Sequence, residues 1–258
     1  MASQQNQAGA PRTDLQVTAP IPRWKRALDI ICCIAALPAL AICTLLAAIL
    51  TTIASPGPIL FRQDRIGYKG RRFKLYKFRT MHGSAATTSH QTHFSQLMCS
   101  NVPMQKLDSR GDSRIIPGGW ILRASGFDEL PQIINVLRGD MSIVGPRPSI
   151  PYEYEQYSDW QRERTNTQPG LTGLWQVSGK NRTTFDEMIR LDITYVQKKS
   201  LLMDVKIIAM TVPALCIQVA DTRKLRSGSP KPSVNLPAPA PANLRADLVG
   251  RRTADRAV

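Results

Sequence analysis

The chain has 258 residues, with 34 lysines and arginines against 19 acidic residues and a formal charge of +15. A hydrophobic share of 43% excludes both a wholly disordered chain and a polytopic transporter, and aromatics at 6% argue against a base-stacking nucleic-acid protein. The surplus of cations suits anionic partners such as a membrane surface or phosphorylated small molecules.

Residues 1–20 are polar and aperiodic and are expected to form a disordered lead. From Ala27 to Ala54 the only charge is Asp29, and the stretch is long enough to cross a hydrocarbon core of ~30 Å as a helix. Arg23, Lys25 and Arg26 precede it, and Arg62, Arg65, Lys69, Arg71 and Arg72 follow it. The positive-inside rule places both flanks on the cytoplasmic face. Pro38 lies within the run, where proline removes one helical hydrogen bond and kinks the chain. A helix bent at Pro38 that enters and leaves by the same face satisfies both observations. On these features alone a plain single crossing stays equally open.

Ser55-Pro56-Gly57-Pro58 ends the apolar run. The segment PILFRQDRIGYKGRRFKLYKFRTM then alternates apolar residues with cations, which predicts short strands joined by a turn at Gly67–Gly70. Its basic face suits phosphate groups. Residues 82–113 are rich in Ser, Thr, His and Gln and are expected to be a flexible insertion. His82, His90 and His93 fall there, where a solvated loop is favoured over a metal site. The five cysteines form no CxxC pair, which argues against a disulfide framework or a zinc ribbon.

In the run FDELPQIINVLRGD, Leu130, Ile133, Ile134 and Leu137 follow the spacing of an amphipathic helix. Asp128 stands where an N-cap belongs, and Gly139 marks the stop. Two readings of Asp128-Glu129 follow. In one, Asp128 caps the helix and Glu129 complements its dipole. In the other, a divalent cation and arginines neutralise a phosphate, and a carboxylate attacks phosphorus. Pro146 and Pro148 restrict the backbone around Arg147, whose guanidinium suits phosphate recognition. Gln168-Pro169-Gly170 and QVSGKNR read as turns. From Ser200 to Leu225 an apolar segment reads equally as helices lying in the membrane interface or as a packed core helix. Residues 221–258 are expected to form a disordered, basic, Pro-rich tail.

The blocks KRALD, SPGPILFRQDRIG, LYKFRTM, FDELPQIINVLRGDMSIVGPRP, QPGLTGLWQVSG and LDITYV, in that order, resemble the bacterial sugar transferase family, the monotopic polyprenyl-phosphate phosphoglycosyl transferases. The resemblance implies an α+β fold, mainly α with short β-strands. It comprises an N-terminal re-entrant membrane helix (27–54) broken at Pro38, interfacial amphipathic helices and a small cytosolic catalytic domain, all within 21–220. It implies transfer of a sugar-1-phosphate from a UDP-sugar to polyprenyl (undecaprenyl) phosphate, with Asp128 as nucleophile and UMP released. Glu129 is the implied partner carboxylate. Lys77, Arg123 and Arg147 are implied phosphate-binding residues, and Mg²⁺ is the implied metal, with Asp128 as a ligand. The implied location is the cytoplasmic face of the bacterial inner membrane, in polysaccharide or glycoconjugate synthesis. No nucleic-acid partner is expected, and self-association into a homo-oligomer stays open. A non-catalytic scaffold that binds anionic lipid is the alternative function.

Three departures stand out. Family members commonly break the membrane helix at Ser-Pro, whereas Leu37 precedes Pro38 here and an ungapped alignment puts the break near Ala41-Ile42. Gly126 stands where a serine is common. The 82–113 insertion is longer than in compact members. Without the multi-span N-terminal region of larger relatives, the chain is expected to be a minimal catalytic form.

Replacing Pro38 by Ala restores a continuous helix and should push part of the population towards spanning. Cysteine-accessibility labelling near Arg23 and Arg62 reads this: the wild type should be labelled from the cytoplasm at both ends.

Overall fold

The computed structural model describes residues 21–54, 57–81, 98, 115–179 and 183–226. The lead (1–20), the body of the 82–113 insertion with its three histidines, and the tail beyond Arg226 lie outside them. The described fold is mainly helical with short strands, in line with the expected class.

Helix α1 (Arg23–Ala54) starts four residues before the apolar run and continues through Pro38. At 1.5 Å per residue it is about 48 Å long. Much of its middle is exposed, including Ile31, Ile34 and Ile42. One side of its first two turns is not: Lys25 and Asp29 are each only 1% exposed and are built into the core of the fold. The N-terminal cations were expected only as a cytoplasmic flank; Lys25 and Arg26 also bond to the fold.

Strands β1 (Leu60–Ile66) and β2 (Arg72–Phe78) form the expected antiparallel hairpin, from Leu60 opposite Phe78 to Ile66 opposite Arg72. A short 3-10 turn at Tyr68–Gly70 closes it, with Lys69 and Gly70 at positive φ. Helix α2 (Gly119–Ser125) leads to Gly126 in the left-handed region, then to a 3-10 turn (Phe127–Gln132) and helix α3 (Ile133–Arg138). The expected single helix from Asp128 is therefore split. Pro131, tolerated in a first turn, lies inside the 3-10 segment, and the α-helix begins only at Ile133. Gly139, at φ 83°, ends α3 as expected.

The expected apolar face of this segment is also corrected. Ile133 is buried, but Leu137 is 43% exposed, while Asn135 and Val136 are fully buried. Asn135 faces inward because β2 needs it. Its Oδ1 accepts the Tyr76 amide at 3.2 Å, and its Nδ2 donates to the Lys74 carbonyl at 2.7 Å. The amide side chain thus completes the free edge of the hairpin, as a neighbouring strand would.

Strand β3 (Ser142–Val144) pairs in parallel with β4 (Gly170–Thr172). Gly170 therefore opens a strand rather than closing a turn. Helices α4 (Pro151–Glu155) and α5 (Asp159–Arg162) lie between these strands in sequence. Helix α6 (Leu174–Val177) follows β4. Helix α7 (Phe185–Lys198) starts at a capping box: Thr184 Oγ1 accepts the Glu187 amide, and Glu187 accepts the Thr184 amide. Helix α8 (Leu201–Arg226) is one element containing Pro213, not several, and it carries helical structure through residues expected in the tail.

The central core joins Cys33 of α1, Leu75 of β2, Val136 of α3, Val144 of β3, Tyr195 of α7 and Ile207 of α8. Its polar centre is a buried node. Lys25 Nζ donates to Asp204 Oδ2 (2.6 Å), the Tyr195 hydroxyl (2.8 Å) and the Val144 carbonyl (2.9 Å). Nearby, Asp29 accepts from Ser142 Oγ and the Ile143 amide, both at 2.8 Å. Arg26 donates to the Val136 and Leu137 carbonyls near the end of α3.

The β3–β4 crossing depends on glycine. A Cβ on Gly170 would fall on the Gly145 amide nitrogen, and one on Gly173 would fall on the Gly145 carbonyl. Gly170→Ala should therefore destabilise the fold by more than ~1–3 kcal/mol, because the obstruction is backbone. Gly139→Ala meets open space and bears only its positive φ, a cost of about 1–2 kcal/mol. Thermal unfolding of both variants in detergent should rank them in that order.

Candidate active site

Three of the residues expected to carry chemistry converge. Lys77 comes from the end of β2, Glu129 from the 3-10 turn, and Arg147 from the loop after β3. Lys77 Nζ lies 2.8 Å from Glu129 Oε1, and Arg147 Nη1 lies 3.4 Å from the same oxygen. All three are partly buried, so their charges are screened less than surface pairs.

Asp128 precedes Glu129 and is 7% exposed. It is the second residue of the 3-10 turn, and Gly126 holds the N-cap position, so the capping role for Asp128 is corrected. Arg123, in the last turn of α2, donates to Thr80 Oγ1 at 3.2 Å. That bond ties it to the segment after β2.

The electrostatics are those of a crowded cationic pocket. Burial lowers the Lys77 ammonium pKa from its usual value. Glu129 and Asp128 pull it back up, and Arg147 and Arg65 push it down. Arg65 of β1 was read only as a flanking charge, yet it is 7% exposed and belongs to this pocket. Burial, helped by the neighbouring Arg147, brings its pKa down to about 10, while Glu153 and Glu129 oppose. It remains protonated at neutral pH. Lys77 and Arg147 are cations of the kind that bind phosphate oxygens.

Among the described residues no cluster of three or more His, Cys, Asp or Glu could enclose a metal. The donor set fits Mg²⁺ in its usual mode: one or two carboxylates, retained waters, and the oxygens of a bound phosphate. Asp128 and Glu129 are the residues present for that mode.

The sequence profile described as bacterial sugar transferase matches residues 21–218. The chain belongs to the bacterial sugar transferase family. Among its relatives is the exopolysaccharide production protein ExoY of Sinorhizobium fredii, 38% identical over 193 residues, covering 75% of this chain and 85% of that protein. Another is the UDP-glucose:undecaprenyl-phosphate glucose-1-phosphate transferase of Caulobacter vibrioides, 41% identical over 209 residues, covering 76% and 73%. The galactosyl transferase CpsE of Streptococcus agalactiae is 41% identical over 162 residues. The match takes in 62% of this chain, which spans about a third (35%) of that relative.

The geometry makes the Lys77 charge depend on Glu129. Glu129→Gln removes the largest influence that holds the ammonium protonated, so Lys77 should lose its proton at lower pH. The alkaline limb of the residual pH–rate profile should shift to lower pH. An unmoved limb would show that Lys77 is not the titrating group.

Proposed function

We propose that this chain transfers a sugar-1-phosphate from a UDP-sugar to undecaprenyl phosphate, as an early membrane step in polysaccharide or glycoconjugate synthesis. The observation that carries the reading is the gathering of Lys77, Arg147 and Glu129 beside the buried Asp128. Membership of a sugar transferase family, with relatives named for this chemistry, supports it.

Lys77 and Arg147 hold the diphosphate of the sugar donor, with Arg123 as a further phosphate-binding cation. An Asp128 carboxylate oxygen attacks the β-phosphorus. The new oxygen–phosphorus bond forms as the bond to the bridging oxygen breaks, and the electron pair leaves on UMP. The sugar phosphate is then an acyl phosphate on Asp128. An oxygen of the lipid phosphate attacks the same phosphorus, the Asp128 bond breaks, and the carboxylate is regenerated. Glu129 takes the proton of the lipid phosphate where it carries one. Mg²⁺, held by Asp128, would supply charge neutralisation at the diphosphate.

Two helices support a membrane site. Within α1 and α8, Arg23–Ile49 and Leu201–Ala220 are long and apolar enough, by length and composition, to cross a bilayer. Both expose large apolar side chains, with Leu202 at 79%. The re-entrant path of α1, with both ends at the cytoplasmic face of the inner membrane, is part of the proposal. Its support is the cations at both flanks and Pro38.

The covalent route requires UMP to leave before the lipid reacts. Purified protein should exchange labelled UMP into UDP-sugar without any polyprenyl phosphate, and steady-state kinetics should be ping-pong. Asp128→Asn keeps the size and removes the nucleophilic anion, so exchange and turnover should both collapse, and chelation of Mg²⁺ should suppress both. Exchange that strictly requires the lipid, or an active Asp128→Asn enzyme, would contradict the mechanism.

A further inference from the structure

The loop that carries Arg147 cannot hold itself. Pro146 and Pro148 have no N–H, so the donors that fix its carbonyls must come from elsewhere. Four consecutive carbonyls each receive one. The Gly170 amide donates to the Pro146 carbonyl at 2.8 Å, and the Ile66 amide to the Ser149 carbonyl at 2.9 Å. Between them, Arg164 Nη2 donates to the Arg147 carbonyl at 3.0 Å, and Arg65 Nη1 to the Pro148 carbonyl at 3.1 Å.

Both guanidinium groups are buried, Arg164 at 3% exposure and Arg65 at 7%. Arg164 is itself fixed on three sides. It pairs with Asp192 of α7, and its Nη1 donates to the Tyr157 hydroxyl at 2.9 Å and to Ser149 Oγ at 3.3 Å. A buried charge with this many partners has one orientation, and a rigid guanidinium transmits that orientation to what it grips.

We propose that Arg164, fixed by Asp192, and Arg65 are positioning residues for Arg147. They act on its main-chain loop, so that the Arg147 guanidinium stays aimed at Glu129 and at the phosphates of the donor. The proposal rests on the sugar-phosphate transfer reading above. Neither guanidinium need touch substrate. Each holds the loop by its main chain and spares Arg147 from searching rotamers and backbone states at each turnover.

A double-mutant cycle tests it. Arg164→Lys keeps a cation for Asp192 but loses the fork that spans carbonyl, hydroxyl and carboxylate. It is measured by UMP exchange on monodisperse enzyme in the wild-type and Arg147→Lys backgrounds. In the wild-type background the KM for UDP-sugar should rise by about tenfold, a coupling of ordinary size for residues acting through one another. In the Arg147→Lys background the same change should have little further effect. A merely structural role would lower the folded fraction, and hence the apparent kcat, equally in both backgrounds without moving KM. Additive losses with unchanged KM would overturn the proposal. The same cycle with Arg65→Lys reads the adjacent carbonyl, so the result does not hang on one variant folding. Wild-type enzyme is the control: absence of exchange with every UDP-sugar would overturn the transfer reading, whereas wild-type exchange with an additive cycle would overturn only the positioning role.

Discussion

One buried ion pair ties the long helices to the chemistry. Lys25 and Asp204 are 1% and 0% exposed, and either charge alone in that setting would be strongly destabilising. They are tolerable because the ammonium has three acceptors: Asp204, the Tyr195 hydroxyl and the Val144 carbonyl. Tyr195 in turn donates towards Val144 and Asp204. Burial, with Asp204 alongside, keeps that phenol protonated well above its usual range. Val144 is the last residue of β3, and Gly145-Pro146-Arg147 follows directly. The start of α1, the start of α8, the end of α7 and the root of the Arg147 loop therefore share one polar centre. A shift of either long helix within a membrane would be felt at Arg147 within a few residues.

The close backbone approach of β3 and β4 serves the same end. Two three-residue strands offer few hydrogen bonds, so the pair holds only if its backbones lie very near and its ends are anchored. Glycines at 145, 170 and 173 allow the approach. The Thr172–Thr211 hydroxyl contact at 2.8 Å fastens β4 to α8. Motifs that start 23 residues apart in sequence, GPRP at 145 and QPGLTG at 168, are one structural unit whose product is a rigid platform for a single guanidinium.

What could be read from the sequence was what local chemistry determines. Alternation gave the hairpin around Gly67–Gly70, and Gly139 gave the end of α3, because each depends on its own φ and ψ or on its immediate neighbours. The convergence of Lys77, Glu129 and Arg147 came from motif resemblance, not from spacing. Arg65, Arg164, Asn135 and Lys25 were missed for a common reason. Each is a polar residue whose burial depends on at least one partner distant in the chain, up to 179 positions away for Lys25. Lys25 was misread most fully. Beside an apolar run a lysine fits a membrane flank, and only the fold reveals the carboxylate that takes it inside. The signal that remained was weak: an isolated Asp204 and an isolated Asp29 in otherwise apolar segments, each of which demanded a partner.

Asp128 and Glu129 stand side by side in a 3-10 turn that also contains Pro131. An uninterrupted α-helix starting at Asp128 would have made that residue a cap, its carboxylate turned back onto amides of its own first turn. In the 3-10 segment Phe127–Gln132 the chain instead has about three residues per turn. Successive side chains then diverge by roughly 120°. Asp128 goes into the protein, and Glu129 goes towards Lys77 and Arg147. Gly126, at φ 76°, makes the preceding reversal that delivers the turn to β2. A side chain there would bring backbone strain, and its Cβ would press on Leu215 of α8 at 3.3 Å. The positive φ and the closeness of Leu215 are thus what suit glycine to this position.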